Sequence, residues 1–535
     1  MVEDREVSSR QGVVAAQPPE AARVGARVLE QGGNAFDAAA AACLACCMLQ
    51  PGSTDVGGYV FVGVVRDGKT GEITSVDANS VAPAGAREDM FGILPLGDDT
   101  EDLNAREYFC RVKDDANVFG PLAVGVPGTL AGIGTIWEKW GRLEWEDILA
   151  PFQRLLEDGF PYDVTAGQVK SLQEVIRRYP ATAAHLLKDG KVPKPDDLWH
   201  RPDMEKTLAR LATAGWRDMY EGELAGKIVS SVQGAGGLLS REDMASVAPR
   251  LTRTLITTYR DATVHAPILP NGALTCLEIL NMLECFPPAD GSAEYWHRLA
   301  EMLKLAWRDR LKYLADPDFV EVPVERLLSK EYAAGRVETI RQYPEHVDKL
   351  VASQTNSACH GTLHVSTADS EGNLVSATIS QGGAFGSCFT VPDTGLILGH
   401  GMCRLDPRPG HANSIAPRKR PLNNTGTMLI ETPERFIASG LPGGRRIISC
   451  AARMAQALID RSLSPLEAAE TARMHVEIAE PVEITRSAGE QVIAGLRERG
   501  HEVNDLNRIA GSAHLADYDK GTGAVRGGGA WAAGL

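Results

Sequence analysis

Gly361 is followed by Thr362, Leu363, His364, Val365, Ser366, Thr367, Ala368 and Asp369. Thr362, His364 and Ser366 alternate with Leu363, Val365 and Thr367, the period of a strand with two different faces. Ser370, Glu371, Gly372 and Asn373 supply a turn, and Leu374 to Ser380 runs back as a second strand, so the spacing predicts a hairpin. A threonine at the first position of a sheet strand, directly after a glycine, suits one chemistry. If the Gly361–Thr362 bond is cut, Thr362 becomes a chain end that carries its own nucleophile, the hydroxyl, and its own base, the α-amine. That amine has an ordinary pKa of about 7.7 to 8, and desolvation raises the neutral share. No separate histidine is required, and His364 is read as a structural hydrogen-bonding group. Thr362 merely opening an ordinary strand is the plainer alternative.

Attack on an amide builds an oxyanion, which needs donors. Gly443 and Gly444 precede a segment whose Ile447, Ile448, Ala451, Met454, Ala455 and Leu458 recur at helical spacing. Backbone N–H groups at a helix start lack partners of their own and can hold such a charge.

These groups have to be placed by the rest of the chain. Pro18 and Pro19 open a helix that Gly32 and Gly33 stop, and Asn34 caps a second, Ala35 to Gln50, which is apolar on every side and too short to span a membrane. Tyr59 to Val65 and Ile73 to Asp77 read as strands, and Asp98 to Asp115 as an acidic exposed loop. Trp137, Trp140 and Trp145 read as packing residues. Residues 150 to 310 carry a mainly helical pattern with few sheet signals, and Arg341 to Cys359 is polar, weakly periodic and read as mobile. Thr427 to Ile430 and Arg435 to Ser439 form another hairpin. Ser464-Pro465-Leu466-Glu467 is a capping box, and Val492 to Arg499 is a short helix.

Gly361-Thr362-x-His364, the Phe385-Gly386-Ser387 loop, Lys419-Arg420-Pro421-Leu422 and Pro442-Gly443-Gly444 appear together and in order. With Gln31-Gly32-Gly33-Asn34-Ala35 and Gly57-Gly58 near the start, the chain resembles the γ-glutamyltransferase family of N-terminal nucleophile hydrolases. The resemblance implies an α+β fold, a four-layer αββα sandwich, with a mainly helical middle region. It implies cleavage between Gly361 and Thr362 into a large fragment, 1–361, and a small one, 362–535, that stay packed together; a dimer of that pair is left open. Thr362 is the implied nucleophile, and Gly443 and Gly444 the oxyanion donors. Ser380 stands where the family carries a threonine whose hydroxyl bonds to the nucleophile.

Substrate selection departs from that pattern. The arginine that grips the substrate carboxylate in the family falls on Asn79, and the aspartate that receives the α-amine falls on Arg404. Asn423 and Asn424 replace a serine pair, and Gly382 an asparagine. A substrate ammonium beside Arg404 would be opposed, and breaking a buried charge pair costs about 3 to 5 kcal/mol. A different acyl group is therefore expected, a carboxylate or polar amide held by Arg404 with Asn79, Asn423 and Asn424 as neutral partners.

The chain has 535 residues, is 44% hydrophobic and carries a formal net charge of −15, which argues against nucleic acid or an anionic membrane as partner and for a small molecule. Ten cysteines show no disulfide spacing, and Cys43 and Cys46 read as small core hydrophobes. Met1 to Arg10 lacks the charge pattern of a secretory leader, so a cytoplasmic location is expected. A P-loop, a His-Glu-x-x-His zinc pattern and a Gly-x-Ser-x-Gly elbow are absent, and no metal or cofactor is called for. The leading reading is a self-cleaving amidohydrolase or acylase that favours hydrolysis over transfer. The alternatives are a true γ-glutamyltransferase acting on glutathione, with Arg87 or another base near it replacing the lost arginine, and an uncleaved binding protein of the same fold.

Overall fold

A computed structural model of the uncleaved chain describes residues 1–95, 108, 110–344 and 361–535. Thirteen strands form one continuous ladder: β1 Val2–Ser9, β2 Gly12–Ala15, β3 Val60–Arg66, β4 Ile73–Asn79, β5 Arg250–Arg253, β6 Leu255–Tyr259, β7 Ala262–Ala266, β8 Thr362–Asp369, β9 Leu374–Ser380, β10 Met428–Glu431, β11 Arg435–Gly440, β12 His514–Asp519 and β13 Val525–Gly534. The order is β6-β7-β10-β11-β12-β13-β2-β8-β9-β3-β4-β5, with β1 on β13.

The ladder folds over on itself. Val13, Val64, Ala368 and Leu374 of one half pack against Leu429, Phe436, Ala438 and Ala516 of the other, giving two face-to-face sheets. Helices α1 Pro19–Glu30, α2 Ala35–Leu49, α3 Thr129–Trp140 and α4 Trp145–Asp158 cover the first sheet. Helices α5 Ala273–Glu284, α6 Ala293–Tyr313 and α7 Arg446–Arg461 cover the second. This is the expected αββα arrangement.

The alternation in β8 is realised as read. Leu363 and Val365 join the core under the first helices, while His364 and Ser366 face the second sheet. Helix α2 fixes the far end of β8. Asn34 and Asp37 form a reciprocal capping box at its start. The Asp369 carboxylate accepts the Ala35 N–H at 2.9 Å, where the helix dipole favours negative charge. Thr367 Oγ1 donates to Ala35 O at 2.8 Å, so the apolar helix and the strand are bolted together.

Two expectations need adjustment. The helical middle is interrupted by β5, which pairs with β4 at one edge of the ladder, and by the antiparallel pair β6 and β7 at the other edge, in which Leu255 faces Ala266 and Thr257 faces Val264. Thr252, Thr254, Ile256, Thr257, Thr258 and Tyr259 are β-formers that the helical flanks outweighed in the sequence. Arg341 and Gln342 lie in a helical turn, Glu338–Gln342. The rest of the segment read as mobile, residues 345–359, lies outside the described residues, as does most of the acidic loop, residues 98–107 and 109. The tryptophans pack as expected, Trp137 against Trp145 at 4.9 Å and Trp140 on Phe36 at 5.5 Å. Cys43 and Cys46 are buried in helix α2, and burial pushes both thiols up. No helix among the described residues is long and apolar enough to cross a membrane.

A buried arginine paired with Asp55 also reaches the later half of the chain. Arg201, with 0% of its surface exposed, donates to Met48 O at 2.8 Å, to Asp55 at 3.2 Å and to Gly395 O at 3.1 Å. Burial pushes the Asp55 carboxyl up to about 6, with Arg201 pulling the other way. Arg201→Met is expected to cost about 3 to 5 kcal/mol by leaving Asp55 uncompensated, read as a lowered urea midpoint. Adding Asp55→Asn is expected to recover part of that loss. An unchanged midpoint in the single variant would contradict this role.

Candidate active site

Thr362, Ser380, Val60 and Asn79 lie in one row across four strands, each the terminal residue of its strand at the same end of the sheet. Paired residues of an antiparallel ladder project to the same face. Thr362 Oγ1 accordingly lies 2.9 Å from Ser380 Oγ.

The bond before Thr362 is held from three sides. Gly361 O accepts the Gln381 N–H at 3.0 Å, the Gly382 N–H at 3.3 Å and the Ser380 hydroxyl. Ser380 Oγ itself accepts the Gly382 N–H at 2.9 Å. A serine hydroxyl has one proton. Since Ser380 gives it to Gly361 O, the hydrogen between Thr362 and Ser380 belongs to Thr362. The Thr362 hydroxyl proton is thus aimed at Ser380, whose own proton lies on Gly361 O.

Gly382 explains its own residue type. Its φ is +94°, and a Cβ there would stand 2.3 Å from Nε2 of His400. The imidazole fills the space a side chain would need. Burial, assisted by Arg404, pulls His400 down to about 3, so it is a neutral packing group.

His364 is likewise committed to structure. Ser366 donates to His514 O at 3.0 Å and so accepts from His364 Nε2 at 3.0 Å. Nδ1 is left to accept from Thr378 at 2.9 Å, and Thr378 bonds Thr427 at 2.7 Å. Burial holds His364 well below its ordinary pKa, with His514 adding to the effect. This polar slot replaces the apolar filling seen elsewhere between the sheets.

The facing sheet brings the remaining groups to the same end. Ser439 O accepts Ser376 Oγ at 2.9 Å, level with Ser366. Gly440 then lies against His364, one level nearer Thr362, its missing Cβ 2.3 Å from the imidazole. The chain continuing past Leu441 and Pro442 therefore carries Gly443 and Gly444 toward the Thr362 level. Gly443 has φ +151° and Gly444 φ +61°. Their N–H groups have no acceptor among the described residues. Helix α7 begins two residues later at Arg446, so the pair occupies the turn rather than the first helical positions.

The predicted substrate residues are distributed unevenly. Arg404 ends a short 3-10 turn and donates to Gly382 O, placing it behind the carbonyl cradle. Tyr108 Oη and Asn413 Nδ2 hold its carbonyl at 2.6 and 2.8 Å. Asn424 accepts from Arg310 at 2.7 Å and lines a cavity of about 340 Å³. Four cationic residues, Arg310, Lys312, Arg408 and Arg445, line that cavity against one acid, Asp406. Asn423 is taken up internally, donating to Asn271 and accepting from Thr425 at 2.7 Å. Asn79 stands three strand spacings from Thr362, roughly 14 Å, and braces Pro421 O at 2.8 Å. Arg87, proposed as a substitute base, is exposed and pairs with Asp89 at 3.2 Å. Sequence reasoning missed Gln381 and Gly382 as donors, and Arg310 as the tie between Asn423 O and Asn424. His360 lies outside the described residues.

Residues 21–532 match the family described as Gamma-glutamyltranspeptidase. The Acylase ACY 1 proenzyme of Pseudomonas sp. (strain SE83) is 32% identical over 545 residues, covering 99% of this chain and 94% of that protein. The Glutathione hydrolase proenzyme of Escherichia coli (strain K12) is 30% identical over 521 residues, covering 93% and 86%. The crystal structure of cephalosporin acylase from Bacillus halodurans superposes with a TM-score of 0.86 at 25% identity, covering 99% of this chain and 97% of that one.

Among the described residues the Ser380 hydroxyl is the one side-chain donor on Gly361 O. Ser380→Ala is expected to slow cleavage of the Gly361–Thr362 bond by about 10²-fold or more, followed as the disappearance of the full-length band on denaturing gels. Ser380→Thr is expected to retain most of the rate. Equal rates in wild type and Ser380→Ala would contradict the assignment.

Proposed function

The chain belongs to the gamma-glutamyltranspeptidase family, and from that premise we propose that it is a self-cleaving amidohydrolase with Thr362 as nucleophile. The observation that carries this reading is the Gly361 carbonyl held by Ser380, Gln381 and Gly382, with Thr362 Oγ1 beside it. Thr362 Oγ attacks the Gly361 carbon, the charge on its oxygen is met by those three donors, and the C–N bond breaks as the Thr362 nitrogen takes a proton. Water then hydrolyses the resulting ester. The products are a large fragment, 1–361, ending in a carboxylate, and a small fragment, 362–535, beginning with a free threonine.

In the second reaction the freed α-amine takes the hydroxyl proton, Thr362 acylates on a small amide, and Gly443 and Gly444 receive the oxyanion. The amine of the substrate leaves with the proton, and water releases the acyl group. No metal or cofactor enters either step.

The acyl group carries a carboxylate. Arg404 stands behind the carbonyl cradle, and the neighbouring cavity is lined by Arg310, Lys312, Arg408 and Arg445, of which Arg408 pairs with Asp406 and Arg445 with Glu477, in a chain of net charge −15. Asn424 is a neutral partner at that cavity. Asn79 and Asn423 act by bracing the segments around it, since their side chains already serve Pro421, Asn271 and Thr425. The ammonium of a γ-glutamyl group would meet the same positive field.

Glutaryl and γ-glutamyl anilides differ only by that ammonium. Wild-type enzyme is expected to favour the glutaryl anilide by tenfold or more in kcat/KM, and Arg404→Asp to abolish or invert the preference. Equal or greater turnover of the γ-glutamyl anilide by the wild type would instead support the glutathione-hydrolase reading. Because the base is the α-amine, kcat/KM is expected to rise as pH rises through an amine pKa of about 7 to 8. The same limb is expected in His364→Gln, and its disappearance there would contradict the assignment of the base.

A further inference from the structure

The Gly443–Gly444 turn has to present two N–H groups that make no bond of their own among the described residues, so its orientation comes from neighbours. Those neighbours are a loop at residues 509–511. Gly511 N–H donates to Pro442 O at 2.7 Å. The missing Cβ of Gly443 would lie 2.4 Å from Ala510 Cβ, and that of Gly511 2.4 Å from Pro442 Cγ, so loop and turn touch at three points. Ala510 has φ +62°, a left-handed conformation that an alanine holds only when its surroundings impose it.

Arg473 imposes it. Nη1 donates to Ile509 O at 2.9 Å and to Gly511 O at 2.7 Å, one carbonyl on each side of Ala510. Nη2 donates to Ala469 O at 3.0 Å. The residue is itself pinned, its N–H on Thr485 Oγ1 and its carbonyl on the Thr485 N–H, both at 2.9 Å. Arg473 is 8% exposed, and no carboxylate pairs with it among the described residues. A buried guanidinium spent wholly on backbone carbonyls is costly to maintain, and its planar fork reaches both sides of Ala510 as an ammonium would not.

We propose that Arg473 is a positioning residue for the substrate oxyanion turn, acting through Ile509, Ala510 and Gly511 on Pro442 and Gly443. This rests on the reading of Gly443 and Gly444 as oxyanion donors. Self-cleavage uses different donors, Ser380, Gln381 and Gly382, and is independent of Arg473. The two reactions of one nucleophile are thereby separable.

The test compares wild type, Arg473→Met, Arg473→Lys and Arg473→Ala in the full-length protein, measuring both self-cleavage rate and steady-state hydrolysis of an anilide that the wild type turns over. A displaced oxyanion donor is expected to cost tenfold or more in kcat for Arg473→Met. KM and the self-cleavage rate stay within about twofold. Arg473→Lys is expected to fall between, and added methylguanidine to restore kcat in Arg473→Ala. Self-cleavage reports folding in every variant, because it needs the assembled sandwich. Unchanged kcat, or self-cleavage and hydrolysis falling together, would overturn the proposal. Failure of wild type to cleave itself would instead overturn the nucleophile reading on which it rests.

Discussion

A single hydroxyl proton sets the direction of the chemistry at this site. Ser380 lies between Thr362 Oγ1 and Gly361 O and can donate to only one of them. Its gift to the carbonyl forces Thr362 to donate in turn, so the Gly361 carbonyl is polarised while the Thr362 hydroxyl is oriented. The arrangement depends on register. Thr362 and Ser380 face each other across the first rung of the β8–β9 ladder, and a slip of β8 by one residue would turn the Thr362 hydroxyl to the helix side, away from Ser380. Helix α2 guards against that slip, because its start is bonded to Thr367 and Asp369 at the other end of the strand.

The ladder also accounts for how a cut chain can remain one molecule. Strands before Gly361 and strands after it interleave: β7 pairs with β10, β13 with β2, and β8 and β9 lie between β2 and β3. Separating the fragments would break backbone hydrogen bonds at five strand pairings, that of β1 with β13 included, and open two apolar layers. A single backbone break at the end of β8 removes none of that. The relatives described as proenzymes are consistent with such a design.

Much of this was legible in the chain itself, for reasons that are local. The alternation from Thr362, the turn at Ser370 to Asn373 and the helix after Gly444 are properties of neighbouring residues. The strands at 250–266 were obscured because short β-forming runs between helices carry weak signals. The substrate side was harder still. Asn423 finds Asn271 152 positions away, and Asn79 finds Pro421 342 positions away, so their structural roles depend on contacts no spacing reveals. In the sequence Gly382 looks like a missing asparagine, whereas in the fold His400 occupies the space. Arg404 was singled out for its charge, and its place beside the cradle needed the fold.

The proposed chemistry depends on the break before Thr362. Intact-mass spectrometry with N-terminal sequencing of catalytically active protein measures it directly. Two co-purifying fragments are expected, the smaller beginning Thr-Leu-His-Val, and a single full-length chain without activity for Thr362→Ala. Active material consisting only of uncut chain, or an active Thr362→Ala variant, would contradict it.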